Sequence, residues 1–254
     1  FFIHDRIEKA LDNLRLRVPT DVQKASIPHA LDGKDLQVCA ETGSGKTLAY
    51  ILPMMQKFLE SKSVIQGTRG LILCPTRELA RQVFKATKQF TDVTGMNVGL
   101  LTGGDDFKFQ AAMLRKNPEI VVSTPGRLVD HIKRRSTDLV GLEILVLDEA
   151  DRMLDMGFAE DMEIISGECN EGLRQTLLFS ATLHHKGIAR VAAKVLDNPM
   201  EITTATVRDK HDNISQQIIL ADDGAHKDRL LSWLLSNDEY EKAIIFTNTR
   251  IESE

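Results

Sequence analysis

The chain has 254 residues, 42% hydrophobic and 5% aromatic, with a formal net charge of -5. That length allows one large domain, or one domain and part of another, and the Leu, Ile, Val and Ala content suits a sheet covered by helices. The mild net acidity excludes a globally basic nucleic-acid binder but leaves a local basic face open. No stretch approaches membrane-spanning length, and no signal-peptide pattern is present. Cys39, Cys74 and Cys169 have no metal-pairing spacing. Cys39 and Cys74 close apolar runs and read as inert core thiols, so the expectation is a soluble protein of a reducing, cytoplasmic compartment.

The first apolar run, Leu36–Cys39, leads into Ala40-Glu41-Thr42-Gly43-Ser44-Gly45-Lys46-Thr47 and then a helix-like stretch, Leu48–Leu59. Strand, glycine-rich turn and helix form the setting of a phosphate-binding loop. The glycines let backbone N–H groups turn inward, and the helix presents its positive end to the same anion. Lys46 is suited to the outer phosphates, and the Thr47 hydroxyl to a magnesium ion. Ala40 stands where the common pattern has glycine.

Further short apolar runs follow at Gly70–Cys74, Val98–Leu101, Ile120–Ser123, Ile144–Leu147, Thr176–Phe179 and Met200–Ile202. Each is too short for a helix. Between them Arg77–Phe90, Pro125–Ile132 and Phe158–Ile165 are amphipathic. The alternation predicts an α/β fold, a parallel sheet covered by helices on both faces, with its ligand at the carboxyl ends of the strands. Ile144–Leu147 runs into Asp148-Glu149-Ala150-Asp151, which sets carboxylates at a strand end. Asp148 is suited to magnesium, and Glu149 to orienting and deprotonating a water. Acids favouring a helix N-terminus are the plainer alternative.

From Thr204 to Asn213 the texture is polar and aperiodic, which reads as a linker. Ile214–Ala221, Lys227–Leu235 and Lys242–Phe246 then read as strand, helix and strand. The expected domains are 1–203, a linker at 204–213, and the opening βαβ of a second α/β domain at 214–254. Both ends read as cut.

Taken in order, the motifs resemble those of the DEAD-box RNA helicases. Ala40–Thr47 is similar to that family's phosphate loop, alanine included, and Asp148–Asp151 to its namesake motif. Pro75-Thr76-Arg77-Glu78-Leu79-Ala80, Gly103-Gly104, Thr124-Pro125-Gly126-Arg127 and Ser180-Ala181-Thr182 match further motifs, and Ile244-Ile245-Phe246 resembles the first motif of the second domain. Leu147–Phe158 and Leu177–Leu183 look most like bacterial members of the SrmB type, which act in ribosome assembly. Pro19-Thr20-Asp21-Val22-Gln23 resembles the adenine-recognising Q motif. There Arg15-Leu16 replaces the usual glycine-aromatic pair, and Asp21 the second proline. Phe1 has the spacing of the aromatic that stacks on adenine, and Phe2 is one position off.

The resemblance implies RecA-like domains and ATP with Mg2+ as cofactors. ATP would be held by Phe1, Gln23, Thr42, Gly43, Ser44, Gly45, Lys46 and Thr47, and the metal by Thr47 and Asp148. Catalysis would fall to Lys46, Asp148, Glu149, Ser180 and Thr182. RNA would follow Pro75, Thr76, Arg77, Gly103, Gly104, Thr124, Pro125, Gly126 and Arg127, contacted through its backbone without sequence reading. The partners implied are RNA, with ribosomal precursor RNA and ribosomal proteins among the candidates, and no membrane.

Plainer alternatives stay open at several of these positions. Arg77 could pair with a carboxylate of its own domain. Lys133-Arg134-Arg135 could be a solvated charge run or an extension of the RNA surface. Ser180 and Thr182 could be turn and cap residues, or their hydroxyls could tie Asp148 and Asp151 to the domain interface. The histidines, including His29, His131, His184 and His185, have no ligand spacing and carry no expected chemistry.

The expected activity is ATP-dependent RNA unwinding or RNP remodelling. The family's catalytic arginine lies in a motif past residue 254, so these residues alone should bind nucleotide weakly and turn it over very slowly. An ATP-dependent, non-processive RNA clamp would use the same residues. An unrelated P-loop ATPase such as a DNA translocase is disfavoured by Gln23 and the DEAD spelling.

Overall fold

The computed structural model describes residues 3–61, 67–169, 174–182, 187–204, 215, 217–237 and 241–249. The chain divides into two compact units, Phe1–Thr206 and Val207–Glu254.

The first unit is built on strands β1 (Leu36–Cys39), β2 (Gly70–Leu73), β3 (Val98–Leu101), β4 (Ile120–Ser123), β5 (Ile144–Leu147), β6 (Gln175–Ser180) and β7 (Met200–Thr203). They pair in parallel in the order β3-β4-β2-β5-β6-β1-β7. Helices α1 (Asp5–Asn13), α2 (Asp21–Leu31), α3 (Lys46–Glu60), α4 (Arg77–Thr94), α5 (Phe107–Leu114), α6 (Pro125–Lys133), α7 (Ala150–Asp155), α8 (Ala159–Gly167) and α9 (Ile188–Val195) connect them.

Strand alternation sends successive side chains to opposite faces and so creates two cores. Ile72, Val122, Ile144, Val146, Leu177 and Phe179 pack under α1 to α4. Leu71, Leu73, Leu145, Leu147 and Leu178 pack under α6 to α9. The sheet is therefore covered on both faces, as the sequence predicts. Pro53 removes a backbone donor from the middle of α3. The helix continues through it because Ala49, Tyr50, Ile51, Leu52, Met54 and Met55 are all buried, and tertiary packing outweighs local propensity.

The amino-terminal edge of the sheet is stapled by polar groups. Asp35 accepts from the amides of Thr176 at 2.7 Å and Asp197 at 2.8 Å, while the Gln175 side chain donates to the carbonyls of Ala30 and Lys34. The carboxyl-terminal edge is left for the motifs.

In the second unit, helix α10 (Gly224–Asn237) forms over the predicted Lys227–Leu235. The two flanking runs are corrected: among the described residues of Ile214–Ala221 and Lys242–Phe246 no strand forms, and Ile218, Leu220, Ile244 and Phe246 are exposed. A parallel pair is stable only with neighbouring strands and helices over both faces, which so short a segment does not supply. Of the predicted linker only Thr204 is described, and its amide donates to the Cys39 carbonyl at 3.0 Å, extending the edge beyond β7. Phe1, Phe2, residues 205–213, His184 and His185 lie outside the described residues. No helix among the described residues is long and apolar enough to cross a membrane.

Candidate functional site

Each strand from β1 to β6 ends in one of the predicted motifs, and all of them lie on the carboxyl-terminal edge of the sheet. β1 runs into the turn 41–45, where Gly43 and Gly45 take φ of +79° and +94°. Gly45 caps α3 in the left-handed region, which a side chain would strain. Space forbids one too, since a Cβ there would lie 2.6 Å from the Gln23 amide nitrogen and 2.9 Å from the Thr20 hydroxyl. Thr42 and Gly43 are exposed and Ser44 and Thr47 half-buried. Lys46 is buried and donates to the Ala40 carbonyl at 3.0 Å, across the loop it belongs to.

Gln23, at the third position of α2, ties the Q-like segment to this loop. Its Oε1 accepts from the Thr20 amide at 3.0 Å and its Nε2 donates to the Gly45 carbonyl at 3.0 Å. One N–H and one oxygen lone pair of the amide remain for a base edge.

Asp148, just past β5, is 3% exposed. Its Oδ2 accepts from the Tyr50 hydroxyl at 2.9 Å, while Oδ1 is buried with no partner. Burial pushes the carboxyl up to about 6; the Lys46 charge and the Tyr50 hydrogen bond pull the other way without offsetting it. A buried, partnerless carboxylate oxygen close to Lys46 and Thr47 is what a hard divalent cation needs from protein. No group of three or more His, Cys, Asp or Glu able to hold a metal occurs among the described residues. Magnesium takes one or two protein ligands and completes its shell with phosphate and water, and the bare Asp148 oxygen is a ligand of that kind. The residues therefore fit the ion.

Glu149 is held at φ 52°, ψ 52°, a left-handed conformation rare for a side-chain-bearing residue and concentrated at functional positions. Its Oε2 pairs with Arg152 at 3.2 Å, and its side chain is only 14% exposed. Asp151 turns the other way. Its Oδ2 accepts from the amides of Ala181 and Thr182 and from the Thr182 hydroxyl, each at 3.1 Å.

This corrects the expectation for Ser180. Thr182 does reach a carboxylate, but the Ser180 hydroxyl donates to the Thr182 carbonyl at 2.6 Å and accepts from its amide at 3.2 Å. Two residues apart at a strand end, Ser180 and Thr182 close a local turn, and the carboxylate grips that turn from outside.

Neighbouring strands β2 and β4 feed α4 and α6, whose amino termini converge on a groove of about 410 Å3. Pro75, Thr76, Arg77, Gly103, Thr124 and Gly126 line it, as predicted, together with Glu78, Met156 and Phe158. The Thr76 hydroxyl caps α4 through the Leu79 amide at 3.2 Å. Pro125 is the first residue of α6, where its missing N–H costs nothing. The Arg77 guanidinium lies over the glycine pair: a Cβ on Gly104, at φ +88°, would meet its Nη1 at 2.6 Å. Arg77 forms no ion pair with the described residues, which sets aside the in-domain alternative there.

Arg127 is not among the residues lining the groove. It donates to the Asp105 carbonyl at 3.2 Å and sits 6.0 Å over the Phe107 ring, because its place on α6 faces α5. Lys133, Arg134 and Arg135 follow at the far end of α6, with Arg134 4.5 Å over Phe107. His131 is structural: buried, stacked on Phe107 at 4.1 Å, and bonded to Gln110 and Ser136. Burial lowers its pKa to about 4.

Asp151, Tyr50, Glu78, Met156 and Phe158 were not among the predicted site residues. Asp151 was legible as the last letter of its motif. Tyr50 gave a weaker signal, one turn beyond Lys46. The groove residues Met156 and Phe158 carried none.

Comparison with known proteins agrees with this geometry. The DEAD/DEAH box helicase family matches residues 20–191. The ATP-dependent RNA helicase SrmB of Escherichia coli (strain K12) is 41% identical over 249 residues, covering 98% of this chain and 56% of that protein. The ATP-dependent RNA helicase DeaD of Mycobacterium tuberculosis (strain H37Rv) is 39% identical over 253 residues, covering 99% and 44%. A crystal structure described as a hypothetical ATP-dependent RNA helicase from Sulfolobus tokodaii superposes with a TM-score of 0.71 at 36% identity, over 79% of this chain and 57% of that one. The chain thus spans about half the length of the curated relatives it matches. With the family spanning most of the first unit and both its nucleotide and groove motifs in place, the chain belongs to the DEAD/DEAH box helicases.

Proposed function

We propose that these residues form the ATP- and RNA-binding half of an ATP-dependent RNA helicase, the whole protein coupling ATP hydrolysis to RNA unwinding or RNP remodelling. The observation that carries the reading is Asp148: a buried carboxylate with one oxygen bonded and one bare, beside the phosphate loop. Lys46 and the loop amides hold the phosphates, and Gln23 reads the adenine edge. Magnesium at Thr47 and Asp148 would neutralise charge between the outer phosphates. Glu149 accepts the proton of the attacking water, held by a strained backbone and by Arg152.

RNA runs along the groove at 75–77, 103–104 and 124–126. Two helix amino termini and the free Arg77 guanidinium meet phosphate oxygens there, so the contact is independent of sequence. Val207–Glu254 is the start of a second RecA-like domain that carries the remaining catalytic groups, an arginine included. The setting proposed is cytoplasmic ribosome assembly, on the ground of the SrmB-type resemblance of Leu147–Phe158 and Leu177–Leu183.

The test compares these 254 residues with a protein extended by a complete second domain. The extended form should show RNA-stimulated ATP hydrolysis that RNA competes for better than DNA, since the 2′-hydroxyl distinguishes the two. The 254 residues alone should bind both ligands with turnover near background. Brisk RNA-stimulated hydrolysis by the short chain, or equal competition by DNA, contradicts the proposal.

A further inference from the structure

Tyr50 belongs to none of the motifs, yet its hydroxyl stands between two of them. It is fully buried in α3, four residues after Lys46 and three after Thr47, a spacing that sets all three on one helix face. Its ring meets Phe179 edge-on, with centroids 5.3 Å apart and planes at 64°, which fixes the ring. The hydroxyl donates to Asp148 Oδ2 at 2.9 Å. The other Asp148 oxygen is the buried one without a partner. A phenylalanine would fill the same ring site. What the hydroxyl adds is a bond that engages one carboxylate oxygen, leaves the other bare, and links α3 to the end of β5.

We propose that Tyr50 is a positioning residue for the divalent cation that accompanies the nucleotide. Its hydroxyl fixes the Asp148 carboxylate, with Oδ1 as the oxygen offered to the cation or to its water. The proposal rests on the reading of Thr47 and Asp148 as the cation site. Outer partners of metal ligands act by holding the ligand's orientation, and their loss typically lowers metal affinity about 10–100-fold.

The experiment is calorimetric titration of the 254-residue chain with the ATP analogue that has an imido bridge between its β and γ phosphorus atoms. It is run over a series of Mg2+ concentrations and in EDTA. Tyr50→Phe should raise the Mg2+ concentration giving half the metal-dependent gain in affinity about tenfold. Affinity in EDTA should stay within about twofold of the parent, which also checks that the variant is folded. In an Asp148→Asn background the same change should have no further effect, because the oxygen it orients is gone.

An unchanged Mg2+ requirement in Tyr50→Phe overturns the proposal. So does an equal loss in EDTA, which would make the hydroxyl a packing element, or a tenfold rise that persists with Asp148→Asn. If Asp148→Asn alone leaves the Mg2+ requirement unchanged, the cation-site reading fails and takes the proposal with it.

Discussion

Asp148 is kept ionised against the preference of its surroundings. A carboxyl raised from 3.8 to about 6 by burial binds its proton more tightly in the folded chain than in the unfolded one. Folding stability is therefore reduced above about pH 6, where the buried group is charged, and recovers as pH falls from there towards 3.8. Metal binding has the opposite demand, because the cation needs the charged form. Nucleotide affinity in the presence of Mg2+ should drop as pH falls through about 6, and by more than affinity in EDTA, which follows only the nucleotide's own phosphate protonation there. Asp148→Asn removes the buried charge. It should raise the stability of the ligand-free chain at pH 8 by up to about 3 kcal/mol, given about 1.4 kcal/mol per pKa unit, and abolish the Mg2+ contribution to binding. Thermal unfolding of both forms at pH 8 checks the first, and a variant less stable than the parent would contradict it.

At the scale of elements, the strand ends organise everything. In the first unit the apolar runs gave strand bounds correct to within a residue or so, because a buried parallel strand must be apolar throughout and must end where the backbone turns. The motifs placed the loop, the carboxylates and most of the groove. Contacts between segments far apart in sequence were not legible. Tyr50 and Asp148 are 98 residues apart, and no local pattern encodes that pair; the tie from Thr182 to Asp151, 31 residues apart, was legible only through the motif resemblance. Ser180 was misread for the same reason: at a strand end its hydroxyl had a nearer partner than the carboxylate. The bond from Arg127 to the Asp105 carbonyl is likewise one the motif does not encode.

Arg77 over Gly103-Gly104 is the element-scale feature open to test. Arg77→Ala should weaken single-stranded RNA binding similarly for all sequences and lower the salt slope by about 0.7, the value for one phosphate contact. Gly104→Ala, which puts a Cβ at 2.6 Å from Nη1 at a positive φ, should displace the same guanidinium. A loss confined to one RNA sequence would mean the groove reads bases.

The whole molecule divides its labour between the two edges of one sheet. Asp35 and Gln175 staple the amino-terminal edge with bonds to backbone, while the carboxyl-terminal edge holds the residues proposed for the nucleotide after β1, β5 and β6 and the groove residues after β2, β3 and β4. Side chains tie the segments after β1, β5 and β6 together, from Gln23 to the loop and from Asp151 to the turn at 181–182. All of it presupposes that the loop at 40–47 holds the nucleotide's phosphates through Lys46, whose ammonium now bonds the Ala40 carbonyl. The direct measurement is calorimetric titration of Mg-ATP into the parent chain and into Lys46→Ala. The parent should give a saturable isotherm, and Lys46→Ala no detectable binding over the same concentrations. Unchanged affinity in the variant would remove the loop from the site and contradict the account.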